Sequence, residues 1–316
     1  MKNETTKLMQ VVKQAKLGDA EAQFLLGLMY SDGEGVAQDV ALGRMWIEKA
    51  VEQGHAKAQV VLGWMYHEGL EVAQDFALAC MWFEKAAEQG QRDAQFLLGW
   101  MYSDGDGVAQ DVALGRMWFE KAAEQGNAKA QLSLGMLYLE GCGVAQDVAL
   151  GRMWIEKAAE QGYAEAQCNL GWMYHEGWEV AQDFALACMW FEKAAEQGYA
   201  EAQCNLGWMY GNGGGVAQDA ALAYMWFEKA AEQGYAKAQV MLGLMYYTGD
   251  GVAQDVALAC MWFEKAAEQG DNTAQQLLSE MYRNGEGVAK NAAMAKMLIW
   301  KAQQCHNTTA AQQQAA

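Results

Sequence analysis

The stretch from Asp19 to Gly54 reads DAEAQFLLGLMYSDGEGVAQDVALGRMWIEKAVEQG, and it contains the signals that decide the fold. Its first part places Ala22, Leu26 and Tyr30 four residues apart. This is the spacing of residues that share one face of an α-helix. The stretch therefore predicts a first helix, which we call helix A, over residues 20 to about 32.

A second helix follows a loop that contains two glycines. Gly33 and Gly35 favour backbone conformations that other residues resist, so helix A ends there. Asp39 then precedes a second periodic run, where it can accept a hydrogen bond as the N-cap residue. This run predicts helix B over residues 40 to 53, and Gly54 is a typical left-handed stop. The unit is therefore predicted to be a helical hairpin.

The same hairpin recurs every 36 residues, because the tyrosine of position 30 and the tryptophan of position 46 both repeat at this distance. Such a period is typical of stacked repeats, whose units cannot bury their apolar faces alone. The predicted repeats one to eight span residues 19–54, 55–90, 91–126, 127–162, 163–198, 199–234, 235–270 and 271–306. Residues 1–18 are predicted to form an N-terminal capping helix, and residues 307–316 a polar, frayed C-terminal tail.

Positions that vary least among the repeats predict the core, although repeat eight has Ser279 at the Gly27 position and Leu298 at the Trp46 position. Ala22, Gly27 and Ala50 represent small residues placed where two helices must approach closely. Trp46 and Tyr30 represent aromatic residues that fill the remaining space, which stabilises each layer by a few kcal/mol. A binding role for these aromatic residues is the alternative, and packing is the favoured interpretation.

Two repeats are near copies of each other. The string GWMYHEGLEVAQDFALACMWFEKAAEQG occupies Gly63–Gly90, and it recurs with one substitution at Gly171–Gly198. In these repeats Glu71 and Glu179 replace the second loop glycine. We therefore expect the loop to bend differently there.

The charge and composition exclude several classes of protein. A hydrophobic content of 53% argues against a disordered chain, and no apolar run is long enough for a membrane span. The formal charge of −18 argues against nucleic acid as a partner, because that binding requires lysine and arginine. A basic or neutral protein or peptide is the expected partner. The alternative is that the acidity only keeps a long apolar array soluble.

The seven cysteines form no C-x-x-C pair, and we interpret them as free thiols. Free thiols favour the cytoplasm. The first 18 residues show no export signal. A periplasmic or secreted protein is the alternative if such a signal has been removed.

The motif A-x-A-Q-x-x-L-G-x-M-Y-x-x-G-x-G-V-A-Q-D-x-A-L, closed by M-W-x-E-K-A-A-E-Q-G, resembles the Sel-1-like repeat family, a relative of the tetratricopeptide repeat, over residues 19 to 306. The resemblance implies an all-α fold, an α/α right-handed superhelix (solenoid) of eight 36-residue helix-turn-helix repeats, with the A helices on its concave side. It also implies a non-enzymatic adaptor or scaffold that binds a protein or peptide.

A second function is implied by one bacterial branch of this family. That branch is rich in cysteine, is secreted, and has been linked to β-lactam binding and hydrolysis. The present chain lacks the regularly paired cysteines of that branch. Binding or hydrolysis of a β-lactam or cell-wall ligand is therefore the alternative function.

The positions that vary along helix A predict where a partner binds. They are those of Glu21, Phe24, Leu25, Leu28, Ser31 and Asp32. These positions lie three and four residues apart and form one continuous stripe. The predicted partner-binding residues are Trp64, His67, Glu68, Trp100, Ser103, Asp104, Trp172, His175, Glu176, Asn205, Trp208 and Asn212. The alternative is that these tryptophans only pack against the neighbouring repeat.

No catalytic motif is present, so we expect neither an enzyme nor a cofactor. None of the four serines lies in G-x-S-x-G or S-x-x-K. The pairs His67–Glu68 and His175–Glu176 each offer two metal ligands, but they lie three repeats apart and do not predict a metal site. We expect a monomer.

Overall fold

The protein is described as a computed structural model that covers the backbone of residues 2–178 and 180–313 and the side chains of residues 8–178 and 180–303. These residues form seventeen α-helices and no strand, which confirms the all-α prediction. The helices are α1 Lys2–Lys16, α2 Ala20–Asp32, α3 Val40–Glu52, α4 Ala56–Glu68, α5 Phe76–Glu88, α6 Arg92–Asp104, α7 Val112–Glu124, α8 Ala128–Glu140, α9 Val148–Glu160, α10 Ala164–Glu176, α11 Phe184–Glu196, α12 Ala200–Asn212, α13 Ala220–Glu232, α14 Ala236–Thr248, α15 Val256–Glu268, α16 Asn272–Asn284 and α17 Ala292–Gln313.

The helices pair into hairpins, as the repeated motif predicts. Even-numbered helices from α2 to α16 are the A helices, and odd-numbered helices from α3 to α17 are the B helices. The chain divides into two compact units, one ending at Ala158 and one beginning at Ala159, which we call the N-terminal and C-terminal units. Each unit is described by itself below.

Polar side chains and glycines set the ends of the helices in repeat one. Asp39 accepts a hydrogen bond from the Leu42 amide at 3.0 Å, which confirms the predicted N-cap of helix B. Gly33 ends α2 in the left-handed conformation, with φ 74°, which confirms the predicted end of helix A. Asp19, which was not predicted as a cap, accepts a hydrogen bond from the Ala22 amide at 2.7 Å.

The loop of repeat two differs from our expectation. Glu71 adopts φ 57°, the same left-handed region that Gly35 occupies with φ 74° in repeat one. The Glu71 carbonyl also accepts a hydrogen bond from Arg44 Nη1 at 2.8 Å. The loop therefore keeps its bend, at a cost of about 1 kcal/mol for a side chain in this region. Glu179, the equivalent residue of repeat five, lies outside the described residues.

Glycines in the A helices allow large side chains of the B helices to lie directly on the backbone. A Cβ atom on Gly63 would lie 2.6 Å from Cε1 of Phe83, and one on Gly171 would lie 2.7 Å from Cδ1 of Phe191. Real Cβ atoms do not approach so closely, so each glycine is required by the packing of its own hairpin.

The repeated tryptophans of the B helices are packed against lysines. Trp46 is 9% exposed, which agrees with the predicted core role. Its equivalents in repeats two to seven are partly exposed. In repeats one to seven a lysine Nζ lies 4.0–4.3 Å from the centroid of the tryptophan ring, as Lys49 does over Trp46. These cation–π contacts cover rings that the neighbouring helices leave partly open.

A buried glutamine links consecutive hairpins at several A helices of each unit. Gln203 donates from Nε2 to the Ala195 carbonyl of the preceding B helix at 3.1 Å. Its Oε1 accepts a hydrogen bond from Gln233, at the end of its own B helix, at 2.7 Å. Gln95 makes the equivalent pair of bonds in the N-terminal unit. We call this arrangement the glutamine relay.

Candidate partner-binding groove

The tryptophans of the predicted stripe lie on the A helices, half-buried and half-exposed. Trp64 on α4 is 39% exposed, Trp100 on α6 is 38% exposed and Trp208 on α12 is 52% exposed. Trp64 packs edge-to-face on Phe83 of its own hairpin, with ring centroids 6.1 Å apart. These indoles therefore combine packing on one edge with a surface that remains open to solvent.

In the N-terminal unit, His67 lies between two of these tryptophans. Its ring centroid is 5.2 Å from that of Trp64 and 5.6 Å from that of Trp100. Phe76 contacts the same imidazole at 5.2 Å. We call Trp64, His67, Phe76 and Trp100 the N-terminal aromatic cluster.

Two carboxylates hold the imidazole in this cluster. Nδ1 of His67 lies 2.7 Å from Oε1 of Glu68, and Nε2 lies 3.3 Å from Oδ2 of Asp106 in the next repeat. Carboxylates only accept hydrogen bonds, so a ring nitrogen that carries a proton donates to the carboxylate beside it. With its side chain 12% exposed, His67 closes this part of the stripe.

Three other residues of the predicted stripe have different environments. The Oγ of Ser103 is buried without a hydrogen-bond partner among the described residues, and it faces Gly115 on the paired B helix. The hydroxyl of Ser103 therefore faces its own hairpin, although the residue is only partly buried. Asp104 is exposed at the end of α6. Asn212 donates from Nδ2 to the Trp208 carbonyl within α12 at 3.1 Å.

In the C-terminal unit the stripe borders an open groove of about 480 Å³. Five predicted residues line it, namely Trp172, His175, Glu176, Asn205 and Trp208. The sequence did not single out its other lining residues, which are Phe191, Cys204, Met209, Lys237, Val240, Met241, Leu244, Asp271 and Thr273. Pockets of this volume are typical of sites that bind ligands.

The groove crosses four A helices diagonally. It starts at Glu176, at the C-terminal end of α10, and reaches Lys237 in the first turn of α14 and Asp271 at the N-cap of α16. Packed helices lie about 8–10 Å apart, so three steps across them span roughly 25–30 Å. That length accommodates about eight residues of an extended peptide at about 3.3 Å per residue.

The floor of the groove is apolar and its ends are charged. The ring of Phe191 lies 5.7 Å from that of Trp172 in an edge-to-face contact. At one end Glu176 accepts a hydrogen bond from Nδ1 of His175 at 2.8 Å. At the other end Lys237 has no ion-pair partner within 4.0 Å among the described residues. Burial raises the pKa of the Cys204 thiol to about 12, against the opposing charge of Lys237, so this thiol is neutral.

The repeat boundaries agree with a known family. The family model described as Sel1 repeat matches residues 20–55, 56–91, 92–127, 128–163, 164–199, 200–235, 236–271 and 273–299. The chain belongs to the Sel1-repeat family. Sel1 repeats typically serve as protein-interaction scaffolds.

Two solved structures are similar to this Sel1-repeat protein over most of its length. It is 39% identical to a protective antigen of uropathogenic Escherichia coli strains that displays an SLR fold, with a TM-score of 0.78; the match covers 94% of this chain and 64% of the antigen. It is 36% identical to a Sel1-repeat protein from Oxalobacter formigenes, with a TM-score of 0.71 and coverage of 98% and 90%. The chain thus spans less than two thirds of the antigen's length. No curated protein sequence is significantly similar to it.

The part of the Sel1-repeat protein that the structure describes contains no cluster of three or more potential metal ligands. None of its described helices is both long and apolar enough to cross a membrane. The described cysteines, Cys80, Cys142, Cys168, Cys188, Cys204 and Cys260, are free thiols, as predicted; Cys305 lies outside the described side chains.

A signal for the unpredicted groove residues was present in the sequence. Lys237, Val240, Met241 and Leu244 occupy the varied positions of helix A in repeat seven. Their importance was missed because that repeat has no tryptophan in its stripe. Phe191 was missed for another reason, since it occupies a helix B position that is apolar in every repeat.

Proposed function

We propose that this Sel1-repeat protein is a non-enzymatic scaffold that binds an extended peptide segment of a partner protein in the C-terminal groove. The observation that carries the proposal is the open groove itself, in which Trp172 and Trp208 face about 480 Å³ of free volume. Tryptophans in partly enclosed pockets are frequent hot spots of protein binding.

The chemistry of the groove fits a peptide better than a small polar ligand. Its floor is formed by apolar side chains such as Phe191, Met209 and Val240, and polar groups lie mainly at its ends. Interfaces that bind peptides combine such an apolar centre with a polar rim. The peptide would place alternate side chains on the floor and direct the others to solvent.

The expected partner is basic or neutral overall. The chain carries a formal charge of −18, which favours association with positively charged partners and speeds their encounter. Glu176 and Asp271 place negative charge at both ends of the groove. A strongly acidic partner would be repelled at long range.

Selection from a displayed library of random peptides tests the proposal. The full chain is the bait, and each selected peptide is then measured against Trp208→Ala by calorimetry. We expect Trp208→Ala to weaken binding about tenfold or more, because it removes an indole from the groove.

The matched control is Trp300→Ala. Trp300 is 60% exposed on α17 and does not line the groove. We expect this variant to bind the peptides like the wild type. Peptides that bind Trp208→Ala and the wild type equally well would contradict the proposed site, and selection of no binding peptide would contradict the proposed function.

A further inference from the structure

We infer that the groove contains a subsite for a cationic side chain, preferably arginine, between Trp172 and Trp208, with Glu176 supplying the opposing charge. The inference rests on the proposed function, because the cation would belong to the bound peptide. To that function it adds the chemical class of one anchoring residue of the peptide and the place in the groove where that residue binds.

The N-terminal aromatic cluster shows what such a pair of indoles accepts. Trp64 and Trp100 are the equivalents of Trp172 and Trp208 in repeats two and three. The flat, nitrogen-containing ring of His67 lies between them and directs both nitrogens at carboxylates. The protein thus places its own imidazole between the two indoles, edge-to-face with Trp64 and tilted by 59° to Trp100.

In the C-terminal unit the histidine keeps its place in its own hairpin and lacks the contact with the next tryptophan. His175 lies 5.2 Å from Trp172, as His67 does from Trp64, and the described residues show no ring contact between His175 and Trp208. Gly214 stands where repeat three has Asp106, so no carboxylate of the next repeat faces the far side of the imidazole. The side chain of His175 is accordingly 26% exposed, about twice the value for His67. The space between His175 and Trp208 is left to the groove.

The chemistry of this space favours a positive charge. A cation near the face of an indole is attracted by the electrons of the ring, most strongly where water is partly excluded. The side chain of Glu176 is 50% exposed and lies at the edge of the space. Arginine suits it better than lysine, because a planar guanidinium can stack on the rings while it donates to a carboxylate.

The rest of the groove gives the bound peptide a direction. Lys237, in the first turn of α14, and Asp271, at the N-cap of α16, both lie at the opposite end, where their opposite charges offset each other. A basic residue is therefore favoured more at the end near Glu176. The peptide would place its arginine there and its apolar residues over Met241 and Leu244.

A small probe tests the subsite without the rest of the peptide. N-acetyl-arginine methylamide is titrated into the full chain, and the NMR signals of the indole N–H groups are followed. We expect saturable shifts at Trp172 and Trp208 and none at Trp100. The citrulline derivative, which has a similar shape and no charge, is expected to bind at least about fivefold more weakly.

Glu176→Gln and Glu68→Gln form a matched pair for this titration. They change equivalent residues of repeats two and five. We expect Glu176→Gln to weaken arginine binding about threefold to tenfold and Glu68→Gln to leave it unchanged. Equal binding of the arginine and citrulline derivatives would overturn the inference, as would equal effects of the two variants.

Exchange of the residues at positions 106 and 214 provides a reciprocal test. Gly214 lies outside the left-handed region, and a Cβ atom there would meet Met209 Sδ at an ordinary 3.4 Å, so Gly214→Asp is compatible with the fold. We expect Gly214→Asp to place a carboxylate on the far side of His175, as Asp106 does for His67, and to weaken arginine binding at least about fivefold. Asp106→Gly is expected to release His67 and to create a second site that shifts Trp100. Unchanged binding in both variants would contradict the inference.

The two proposals fail in different ways. If selected peptides bind the groove but show no enrichment of arginine or lysine, the proposed function stands and the cation subsite is wrong. If the arginine derivative binds between Trp172 and Trp208 but no peptide is selected, the subsite stands and the proposed function is wrong.

Discussion

Repeats two and five share the segments Gly63–Gly90 and Gly171–Gly198, which differ at one residue, yet their surroundings differ sharply. His67 in the first copy is held by carboxylates on both sides, whereas His175 in the second copy borders an open groove. The hairpin that follows each copy makes the difference. A surface in a repeat protein is thus determined by pairs of consecutive hairpins and cannot be assigned to one repeat alone.

The following hairpins also differ in size along the stripe. Repeat three presents Phe96 and Leu97 at the positions where repeat six presents Cys204 and Asn205. Phe96 packs on Phe119, with ring centroids 5.9 Å apart. The smaller pair in repeat six leaves space above the floor of the groove. The hairpins that follow the two copies differ at residue 106 against 214 and at residues 96–97 against 204–205. These differences distinguish the filled surface beside repeat two from the open groove beside repeat five.

The largest expected effect tests whether the two copies share one scaffold. Gly63→Ala and Gly171→Ala each place a Cβ atom within 2.7 Å of a phenylalanine ring. We expect each to lower the free energy of unfolding by about 1–3 kcal/mol, through overpacking of the hairpin. Urea denaturation measures both variants.

Gly214→Ala is the control for these variants, because its Cβ atom has ordinary contacts. We expect it to change the free energy of unfolding little. A difference of more than about 1 kcal/mol between Gly63→Ala and Gly171→Ala would mean that the copies do not share their packing.

A second test uses the equivalent thiols Cys80 and Cys188. Burial, and then the charge of Glu84 or Glu192, raises the pKa of each to about 11. In the unfolded protein a thiol ionises at about pH 8.5, so it loses its proton at a lower pH than in the folded protein. The free energy of unfolding therefore falls as the pH rises from about 9 through 11.

Each of the two variants, Cys80→Ala and Cys188→Ala, should reduce this loss of the free energy of unfolding by the same amount. We expect about 1 kcal/mol near pH 11, once screening by solvent is allowed for. Urea denaturation of both variants near pH 8 and near pH 11 provides the measurement. An unchanged pH dependence in either variant would show that its thiol does not titrate as an isolated buried group.

The smallest effect concerns the loop of the first copy. Glu71→Gly should raise the free energy of unfolding by about 1 kcal/mol, because glycine occupies the left-handed region without strain. Urea denaturation measures the change, and Gly35→Ala should show the opposite sign at the equivalent position. A loss of stability in Glu71→Gly would mean that the side chain contributes more than its backbone costs.

Most of the scaffold could be predicted from one repeat. The N-cap aspartates, the loop glycines and the four-residue spacing act locally, and their recurrence leaves few alternatives. The conformation of Glu71 was not predicted, because a loop fixed at both ends by the same hydrogen bonds can hold a side chain in a strained region. The Gln23 position is glutamine in every repeat, but its hydrogen bonds were not predicted because they join residues far apart in sequence.

The position of the stripe could be predicted from the sequence. Which part of it is filled by the protein's own side chains and which part is open could not. Ser103 shares its position with His67 and His175, but its short side chain falls toward Gly115. The long imidazoles reach past the paired helix instead. Whether they meet a carboxylate depends on Asp106 or Gly214, 39 residues further along the chain. Sequence reasoning confined to one helix face does not include that partner.

The glutamine relay has a consequence for how such a chain can change its length. Gln95 and Gln203 bond the preceding hairpin in the same way, so the joints before repeats three and six are alike. A duplicated hairpin can be inserted at such a joint without a new core being designed. Each insertion then places a different hairpin beside an existing surface. A pocket that the protein's own side chain fills can in this way become open to a ligand.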